Sequence, residues 1–538
     1  MIIYPEIGLG PALAAALAFA LPLIALVIKN RRLWAAYTVV GTFALLIVTT
    51  RVLILSYQSS SPLVYTFGGW PAPLGIIYVV DKVGAFFGFI AGILFFVIAI
   101  FSHKYLEKDD GVEWYYTLLL GLEAGVLGCF YTGDAFNLFV MLEVLSVAAY
   151  GLVAFRKRLG MAVEGALKYA IISAMATTVY FVGLMVLYAS FGTLNMADAS
   201  YKIMTQGKIL SDFTPNPAII TGTPPAGSSW PLGLAIFGAL MFYTFTLEAA
   251  LVPNHFWLPD AYSYAPAPIA ALLSGATENV GLYVLIRFIY TIMGSTPAEP
   301  IRHVMLVVLM AMGMASALLG SLMMVPQRNV QRLLGYSTIT NMGYAAMAIG
   351  LGTELGLRAA LFFVIAHAFS KALAFISVGA MKRYAGSVNL DELEGYGKYM
   401  KFTSVSLGVA LLSLAGIPPL PGFVAKLLLY FAALEVGAWY IVAVLILATA
   451  ISLMGYLKVL YHTALKASEK TLKVEEPLSL IIPIAMLLGV IIAITVLVYQ
   501  VYYGLVTPAA ASSFNTEGYI ESVFSISSQM LKLVGGGG

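Results

Sequence analysis

Ionisable side chains stand inside otherwise apolar stretches of this sequence, and their types point to the movement of protons or cations. Glu143 is followed by Ser146 and Tyr150 at i+3 and i+7, on the same face of a helix. His367 and Lys371 are at i and i+4, one above the other. A charge in the middle of a membrane costs about 2.5–3.5 kcal/mol on insertion scales, so each needs a partner or a function. The pattern predicts an ion relay formed by Glu143, Lys168, Glu248, His367, Lys371 and Lys426.

A second set of polar residues accompanies this predicted relay. Burial shifts acids and lysines towards neutral pKa values, so that the charge of a neighbour can switch them. Lys168 has an alternative role, because Glu164 four residues earlier could simply pair with it. Asp81 and Asp134 stand at helix starts, where capping explains them better than transport. We expect a secondary polar path at Glu123, His255, Glu278 and Asn279, with Glu123 favoured as a structural partner.

Two proline-containing stretches interrupt apolar runs close to these charges. They are FTLEAALVPNHFWLPDAY (245–262) and AGIPPLPGF (415–423). Proline within a spanning helix frees backbone carbonyls, which is tolerated only where protein or a water-filled cavity satisfies them. We therefore expect two broken helices beside the ion path, although each motif could also be a loop between ordinary helices.

Composition identifies the molecule as a polytopic membrane protein. The 538 residues are 61% hydrophobic and 10% charged, with a mean hydropathy of +0.92 and a net charge of +3. The single cysteine, Cys129, excludes a disulfide framework and a cysteine-ligated iron–sulfur cluster. The five histidines include no pair at haem-ligand spacing on one helix. We expect no cofactor or metal on this chain and no nucleic-acid partner.

Apolar runs of about 20 residues, the length that crosses a bilayer, recur along the whole chain. We count fourteen predicted spans, numbered 1 to 14 in chain order: 8–28, 33–55, 78–102, 115–132, 134–155, 163–190, 230–252, 262–290, 303–325, 330–351, 357–380, 403–428, 434–462 and 478–502.

Lysine and arginine concentrate in alternate connections between these spans. They follow spans 1, 3, 5, 9, 11 and 13, with groups such as Arg156, Lys157 and Arg158. By the positive-inside rule both termini face outward, and no cleavable signal peptide is expected. The long polar connection 200–230 would then lie outside, as a cover or flexible loop. The tail after span 14 is expected to be short.

Interrupted segments in corresponding places of two halves are a usual sign of inverted repeats around an ion site. Spans 7 and 12 are separated by five helices, so spans 4–8 and 9–13 form natural repeat units. The predicted fold class is an all-α integral membrane protein of about 14 transmembrane helices, with two inverted five-helix repeats and broken helices 7 and 12. The predicted units are 1–110, 115–290, 303–463 and 478–538.

Five motifs together resemble the antiporter-like subunits shared by respiratory complex I, Mrp cation/proton antiporters, and archaeal membrane-bound hydrogenase and sulfur reductase complexes. They are NLFVMLEVLSVAAYGLVAF, VPNHFWLPDAYSYAPAPIAALLSG, VQRLLGYSTITNMGY, AHAFSKALAF and AGIPPLPGFVAK. The likeness covers predicted spans 3 to 13 and implies the fourteen-helix fold. It implies that Glu143 is the helix-5 glutamate that pairs with a lysine. It also makes His367 and Lys371 the central relay and Lys426 the exit-side lysine.

The sequence departs from this family in its first half. The family usually has lysine five residues before the proline of the first break, where this chain has Glu248. A second usual lysine, shortly before a GxY motif, aligns with Asn279, beside Glu278. The usual glutamate–lysine pair therefore cannot form unless Lys168 replaces the missing lysine. The second half, with His367, Lys371 and Lys426, keeps the family residues.

Three functional hypotheses follow. The first is an ion-translocating subunit of a redox-driven complex in the cell membrane, itself not catalytic. Its partners would be further antiporter-like subunits and a redox module with iron–sulfur clusters. The second is a subunit of a stand-alone Mrp-type Na⁺/H⁺ antiporter, since Glu248 and Glu278 add the oxygen ligands that sodium prefers. The third is a spacer subunit that does not conduct.

Overall fold

A computed structural model describes residues 4–206, 230–466, 474 and 476–535 of the chain. Twenty-two helices are found within these residues. They are α1 Pro5–Val27, α2 Arg31–Gln58, α3 Lys82–Tyr105, α4 Val112–Tyr131, α5 Ala135–Val153, α6 Gly160–Phe191, α7 Met196–Met204, α8 Trp230–Glu248, α9 Leu258–Tyr264, α10 Ala267–Leu272, α11 Glu278–Ile286, α12 Glu299–Met324, α13 Val330–Gly350, α14 Glu354–Ala385, α15 Tyr396–Tyr399, α16 Lys401–Ala415, α17 Pro421–Glu435, α18 Trp439–Leu460, α19 Leu478–Val496, α20 Val498–Gln500, α21 Thr507–Ser513 and α22 Thr516–Gly535.

Each of the fourteen predicted spans coincides with a helix or with a pair of helices. Eleven helical segments of the described chain are long and apolar enough to cross a membrane. The other three predicted spans correspond to α4, α13 and the broken pair α16–α17. The chain is thus a multi-pass membrane protein of nearly all-helical structure, as the composition predicted.

Both predicted breaks are present. The first separates α8 from α9, and the second separates α16 from α17. The boundary predicted after the first break was wrong, because residues 262–264 belong to α9 and span 8 begins only at Ala267. Pro266 disfavours helical geometry at Ala265 before it, which is extended, so α9 ends there and α10 starts with Pro268 in its first turn.

Span 8 is a composite helix. α10 and α11 are joined by a π-helical turn, Leu273–Thr277, and a second π turn, Arg287–Ile292, follows α11. A π turn accommodates one residue more than an α turn and occurs frequently at functional sites. Glu278 is the first residue after the first of these turns.

Helices α12 and α13 pack closely through small residues. A Cβ added to Gly313 would lie 2.7 Å from the backbone nitrogen of Met347, and one added to Gly343 would lie 2.6 Å from that of Ala317. Glycine removes the side chain that would hold two membrane helices apart, so their backbones come into direct contact.

A short hairpin and the C-terminal segment lie together at one end of the helix bundle. Strands β1 (Leu63–Thr66) and β2 (Ile77–Val80) pair antiparallel, with Leu63 opposite Val80. Helix α22 packs against α7 and β1. The prediction of a short tail after span 14 was incomplete, because residues 507–535 form two further helices. The predicted outer loop, 200–230, lies mostly outside the described residues, as do 467–473.

The first residues of α1 are at the same end as this hairpin. Gly8 lies against the ring of Tyr65 on β1. Basic side chains form ion pairs between the connections at the opposite end, where Arg156 pairs with Asp109 and Arg383 with Glu107. Hydrogen bonds from Lys104 and Arg383 hold the pKa of Glu107 below its usual value. The start of α1 and the C-terminal segment therefore lie at the end opposite the basic cluster.

Candidate ion pathway

Ionisable side chains from both halves, all but one of them buried, form one row across the bundle. Electrostatic interactions connect Glu143 to Glu248, Glu248 to Glu278, and Glu278 to Lys371. His367 and Lys371 lie on successive turns of α14. Lys426 lies beyond them at the second break. We call these six residues the central row: Glu143, Glu248, Glu278, His367, Lys371 and Lys426.

Glu248 is the last residue of α8, at the first helix break, and it is buried. Ser173 on α6 donates a hydrogen bond to its Oε1 at 2.8 Å, and Ser146 on α5 lies 3.5 Å from Ser173. The backbone at this break is satisfied by the indole of Trp257, which donates to the Leu247 carbonyl at 3.2 Å. An acid is thus buried at the first break and is held there by a serine hydroxyl.

Glu143 lies at the edge of the row and is half-buried. Its neighbours on α5, including Val140, Val144 and Val147, are exposed apolar residues. Within the described chain, no hydrogen bond or ion pair satisfies its carboxylate. The row therefore reaches the apolar outer face of the bundle at this point.

Glu278 lies between the two halves of the molecule. It accepts a very short hydrogen bond from the Tyr262 hydroxyl on α9, while its other oxygen, Oε2, has no partner in the described part of the chain. Glu278 and Lys371 attract each other electrostatically. Sequence analysis assigned Glu278 to a secondary path, whereas the structure places it in the middle of the row.

Lys371 on α14 is fully buried and is held by two short hydrogen bonds. Its Nζ donates to the Leu334 carbonyl and to the Ser337 hydroxyl on α13, each at 2.6 Å. Ser337 also forms a hydrogen bond with Tyr456 of α18. Sequence reasoning missed Ser337 and Tyr456, although the Ser-Thr-rich motif YSTITN was a sign that α13 is polar.

His367 lies one turn before Lys371, and neither ring nitrogen has a hydrogen-bond partner among the described residues. The imidazole borders a small cavity that Asn341, Ser413 and Gly422 also line. Ser413 accepts a hydrogen bond of 2.8 Å from Ser370. Buried polar groups without protein partners are commonly satisfied by water. This cavity therefore lies between His367 on α14 and the residues Ser413 and Gly422 on the two helices that flank the second break.

Lys426 bridges the second helix break. It lies on α17, and its Nζ donates to the carbonyls of Leu414 and Ala415, at 3.2 and 2.8 Å, which end α16. These are carbonyls that the break would otherwise leave unpaired. Its ammonium also lies 5.2 Å from the centre of the Tyr344 ring. An ionisable residue thus lies at each break: Glu248 ends α8, and Lys426 lies on α17, the helix after the second break.

Four predicted residues lie outside the row. Lys168 pairs with Glu164 and with Asp260, at 2.7 and 2.8 Å, and is partly exposed, so the alternative considered for it is the one observed. Its described contacts do not include Glu143. Glu123 is fully buried in α4, and neither of its oxygens has a partner among the described side chains.

His255 and Asn279 complete this set. His255 is half-buried in the segment between α8 and α9, with Nδ1 unpaired in the described structure. Asn279 follows Glu278 and donates to the Gly275 carbonyl at 2.7 Å. It therefore satisfies a carbonyl of the π turn.

A buried ion pair was also missed. Arg287 donates two hydrogen bonds of 2.7 Å to Asp81, and its guanidinium lies about 5 Å above the rings of Tyr283 and Tyr519. Asp81 does cap α3, as predicted, through the Gly84 amide, but it also holds this arginine. The signal available in the sequence was an arginine in the middle of an apolar run.

The described residues contain no group of three or more His, Cys, Asp or Glu side chains that could hold a metal ion. The central row is built instead from single acids and lysines separated by hydroxyl groups. Such groups can pass protons along hydrogen bonds or guide a monovalent cation from one site to the next.

These features define a class of membrane subunits in which a row of ionisable residues extends across the helix bundle from one broken helix to another. Residues 132–452 match the family described as the transmembrane region of NADH:quinone oxidoreductase and Mrp antiporters, and the chain belongs to that family. Its resemblance to antiporter-like subunits is thereby confirmed.

Similar proteins come from several kinds of complex. NADH-quinone oxidoreductase subunit N of Desulforudis audaxviator (strain MP104C) is 34% identical over 80% of this chain and 83% of its own length. A subunit of the Na(+)/H(+) antiporter of Alkalihalophilus pseudofirmus is 30% identical over 85% of this chain and 88% of its own length. A solved chain of the membrane-bound sulfane sulfur reductase, an archaeal respiratory membrane complex, is 27% identical, with a TM-score of 0.85 over 96% of this chain and 99% of that one.

Proposed function

We propose that this chain is the ion-translocating membrane subunit of a redox-driven respiratory complex. Electrons pass through partner subunits, and the row inside this chain moves protons, sodium ions or both across the membrane. The observation that carries the proposal is the set of buried ionisable residues in the second half. Lys371 donates to the Ser337 hydroxyl, His367 borders a small cavity beside the second break, and Lys426 donates to the carbonyls at that break. The similarity to a chain of the sulfane sulfur reductase complex supports a redox-driven setting.

The proposed path begins with the acids of the first half and ends at Lys426. A charge that arrives at Glu278 changes the field at Lys371, because the two attract each other. The proton that Lys371 releases passes through the cavity beside His367 to Lys426. No cofactor on this chain is needed for these steps, because acids, lysines and water exchange the proton directly.

The proposed setting includes partners and an orientation. Other antiporter-like subunits and a redox module with iron–sulfur clusters would assemble with this chain in the plasma membrane. Helices α4–α11 and α12–α18 would form the two inverted repeats, each with one break. The basic end of the bundle would face the cytoplasm and both termini the outside, by the positive-inside rule.

A second candidate function is a subunit of a stand-alone Na⁺/H⁺ antiporter. The observation in its favour is the cluster of oxygens at Glu248, where Ser173 and Ser146 accompany the acid. Sodium prefers such oxygen ligands over amines. Similarity to the antiporter protein of Alkalihalophilus pseudofirmus also supports it. Mass spectrometry of the intact complex purified through this chain separates the two candidates, because iron–sulfur subunits are expected only in the first.

The test of the path removes its two lysines one at a time. We expect Lys371→Ala and Lys426→Ala to abolish ion translocation by this subunit, measured as ions moved per electron in vesicles, while the complex assembles and transfers electrons. Lys458→Ala is a matched control, because Lys458 also donates to backbone carbonyls, those of Val325 and Gln327, but lies outside the row. Wild-type stoichiometry in both row variants would refute the proposal.

A further inference from the structure

Tyr169 on α6 is a buried tyrosine whose hydroxyl has no hydrogen-bond partner in the part of the chain that the structure describes. The side chain is fully buried. Its ring stacks on Trp257, with ring centres 4.2 Å apart and planes at 8°, and it meets the edge of Tyr150 at 4.9 Å. Because buried hydroxyl groups are nearly always hydrogen-bonded, this phenol oxygen requires an explanation.

Tyr169 lies on the face of α6 that contacts both Glu248 and helix α9. Ser173, one turn later on the same face, donates to Glu248. Gly165, one turn earlier, is in close contact with α9. A Cβ added to this glycine would lie 2.9 Å from the carbonyl oxygen of Asp260. Helix α9 in turn carries Tyr262, the donor to Glu278. The face of α6 around Tyr169 therefore runs from one acid towards the other.

Both acids are electrostatic neighbours of the Tyr169 hydroxyl. Each is already held by one hydroxyl donor, Glu248 by Ser173 and Glu278 by Tyr262. Oxygen Oε2 of Glu278 has no further partner within the described residues. An unpaired phenol, which can donate and accept at once, thus lies within electrostatic reach of two acids that each have one hydroxyl donor.

We infer that Tyr169 is a proton-relay residue that joins Glu248 to Glu278, its hydroxyl linked to each carboxyl group through a water molecule. The inference deepens the proposed function and rests on it. A proton leaves the protonated carboxyl of Glu248 for the phenol oxygen or its water as the phenol proton passes to the carboxylate of Glu278. One O–H bond forms for each that breaks, and the tyrosine returns to its neutral form.

The alternative is that Tyr169 serves only to pack aromatic rings. Its stacking on Trp257 positions the indole that donates to the Leu247 carbonyl at the helix break. A packing role needs the ring and not the oxygen. Removing the oxygen alone therefore separates the two explanations.

The experiment compares Tyr169→Phe with Tyr131→Phe in the purified complex reconstituted into vesicles. Tyr131 on α4 is also fully buried, and its hydroxyl likewise lacks a partner among the described residues, but it lies outside the row. We expect Tyr169→Phe to assemble and transfer electrons while translocating fewer ions per electron than wild type. Tyr131→Phe should keep the wild-type stoichiometry.

The outcomes separate this inference from the proposed function. Wild-type stoichiometry in Tyr169→Phe, with loss in Lys371→Ala, would overturn the inference and leave the proposed function standing. Wild-type stoichiometry in both would overturn both. If Tyr169→Phe fails to assemble, a fluorinated tyrosine at position 169 keeps the shape and makes the phenol more acidic. The pH profile of translocation should then shift, and an unshifted profile would refute the inference.

Discussion

At the scale of single residues, the two buried lysines of the row are held in different ways. Lys371 donates to one carbonyl and one hydroxyl of α13, whereas Lys426 donates only to the carbonyls that end α16. A carbonyl cannot take up a proton under these conditions, but a hydroxyl can exchange one with its neighbours. Lys371 is thus connected, through Ser337 and Tyr456, to groups that can exchange protons. The hydrogen bonds of Lys426 go to the backbone itself.

The prediction at this scale concerns Glu143 and Lys168. Lys168 pairs with Glu164 and Asp260, so its loss should not depend on Glu143. We expect Glu143→Gln to impair coupling and Lys168→Met to have a small effect, because exposed ion pairs contribute roughly 0–1 kcal/mol. In the double variant the two effects should add, as they do at independent sites. A double variant less impaired than this sum, measured as ions moved per electron, would show that the two residues act as a pair.

At the scale of helices, Asp81 and Arg287 connect three elements. Asp81 begins α3, Arg287 lies in the π turn after α11, and Tyr519 of α22 covers the guanidinium. The pair is buried and bidentate, the geometry in which an arginine–carboxylate contact is strongest. The C-terminal helix α22 is therefore held to the core by the contact of Tyr519 with Arg287 as well as by apolar contacts.

Removing one member of this pair should destabilise the protein more than removing both. We expect Arg287→Met or Asp81→Asn to lower the thermal unfolding temperature in detergent, at a cost of about 3–5 kcal/mol, because the remaining partner stays buried and unpaired. The double variant should recover part of this loss. Because asparagine can still cap α3, the loss of stability in Asp81→Asn reports the loss of the charge and not the loss of the helix cap. Equal melting temperatures for the single and double variants would contradict the expectation.

At the scale of the whole molecule, the basic connections and the two terminal segments occupy opposite ends of the bundle. Ion pairs tie the basic connections together at one end, and the hairpin with α22 lies at the other. The single cysteine, Cys129, is buried. Because the native cysteine is buried, the orientation of the protein can be tested by labelling cysteines introduced at either end, without background labelling of Cys129.

We expect Glu517→Cys to react with a membrane-impermeant thiol reagent in intact cells, and Lys157→Cys to react only after the membrane is opened. Both positions are exposed, and they lie at opposite ends of the bundle. The wild-type chain, with only Cys129, is the control and should remain unlabelled. The reverse pattern of labelling would place the basic end outside and contradict the positive-inside assignment.

Hydropathy and proline placement were enough to locate the fourteen predicted spans and both breaks, because each depends on local sequence. The partners of buried charges could not be predicted in the same way. Asp81 and Arg287 are 206 residues apart, and Glu278 and Tyr262 meet only because α9 folds back beside α11. Residues 516–535 were missed because an amphipathic helix has no long apolar run.

The π turn before Glu278 determines what the loss of a single residue would do to this helix. Such a turn holds one surplus residue, and deleting one residue, for example Ala276, would restore a regular helix. The deletion would rotate one side of the turn relative to the other by about 100°, the angle per residue of an α-helix, and turn Glu278 away from Tyr262 and Lys371. One residue in this turn therefore sets the direction in which Glu278 points, and we expect relatives that differ by one residue here to differ in coupling even where every charged residue is retained.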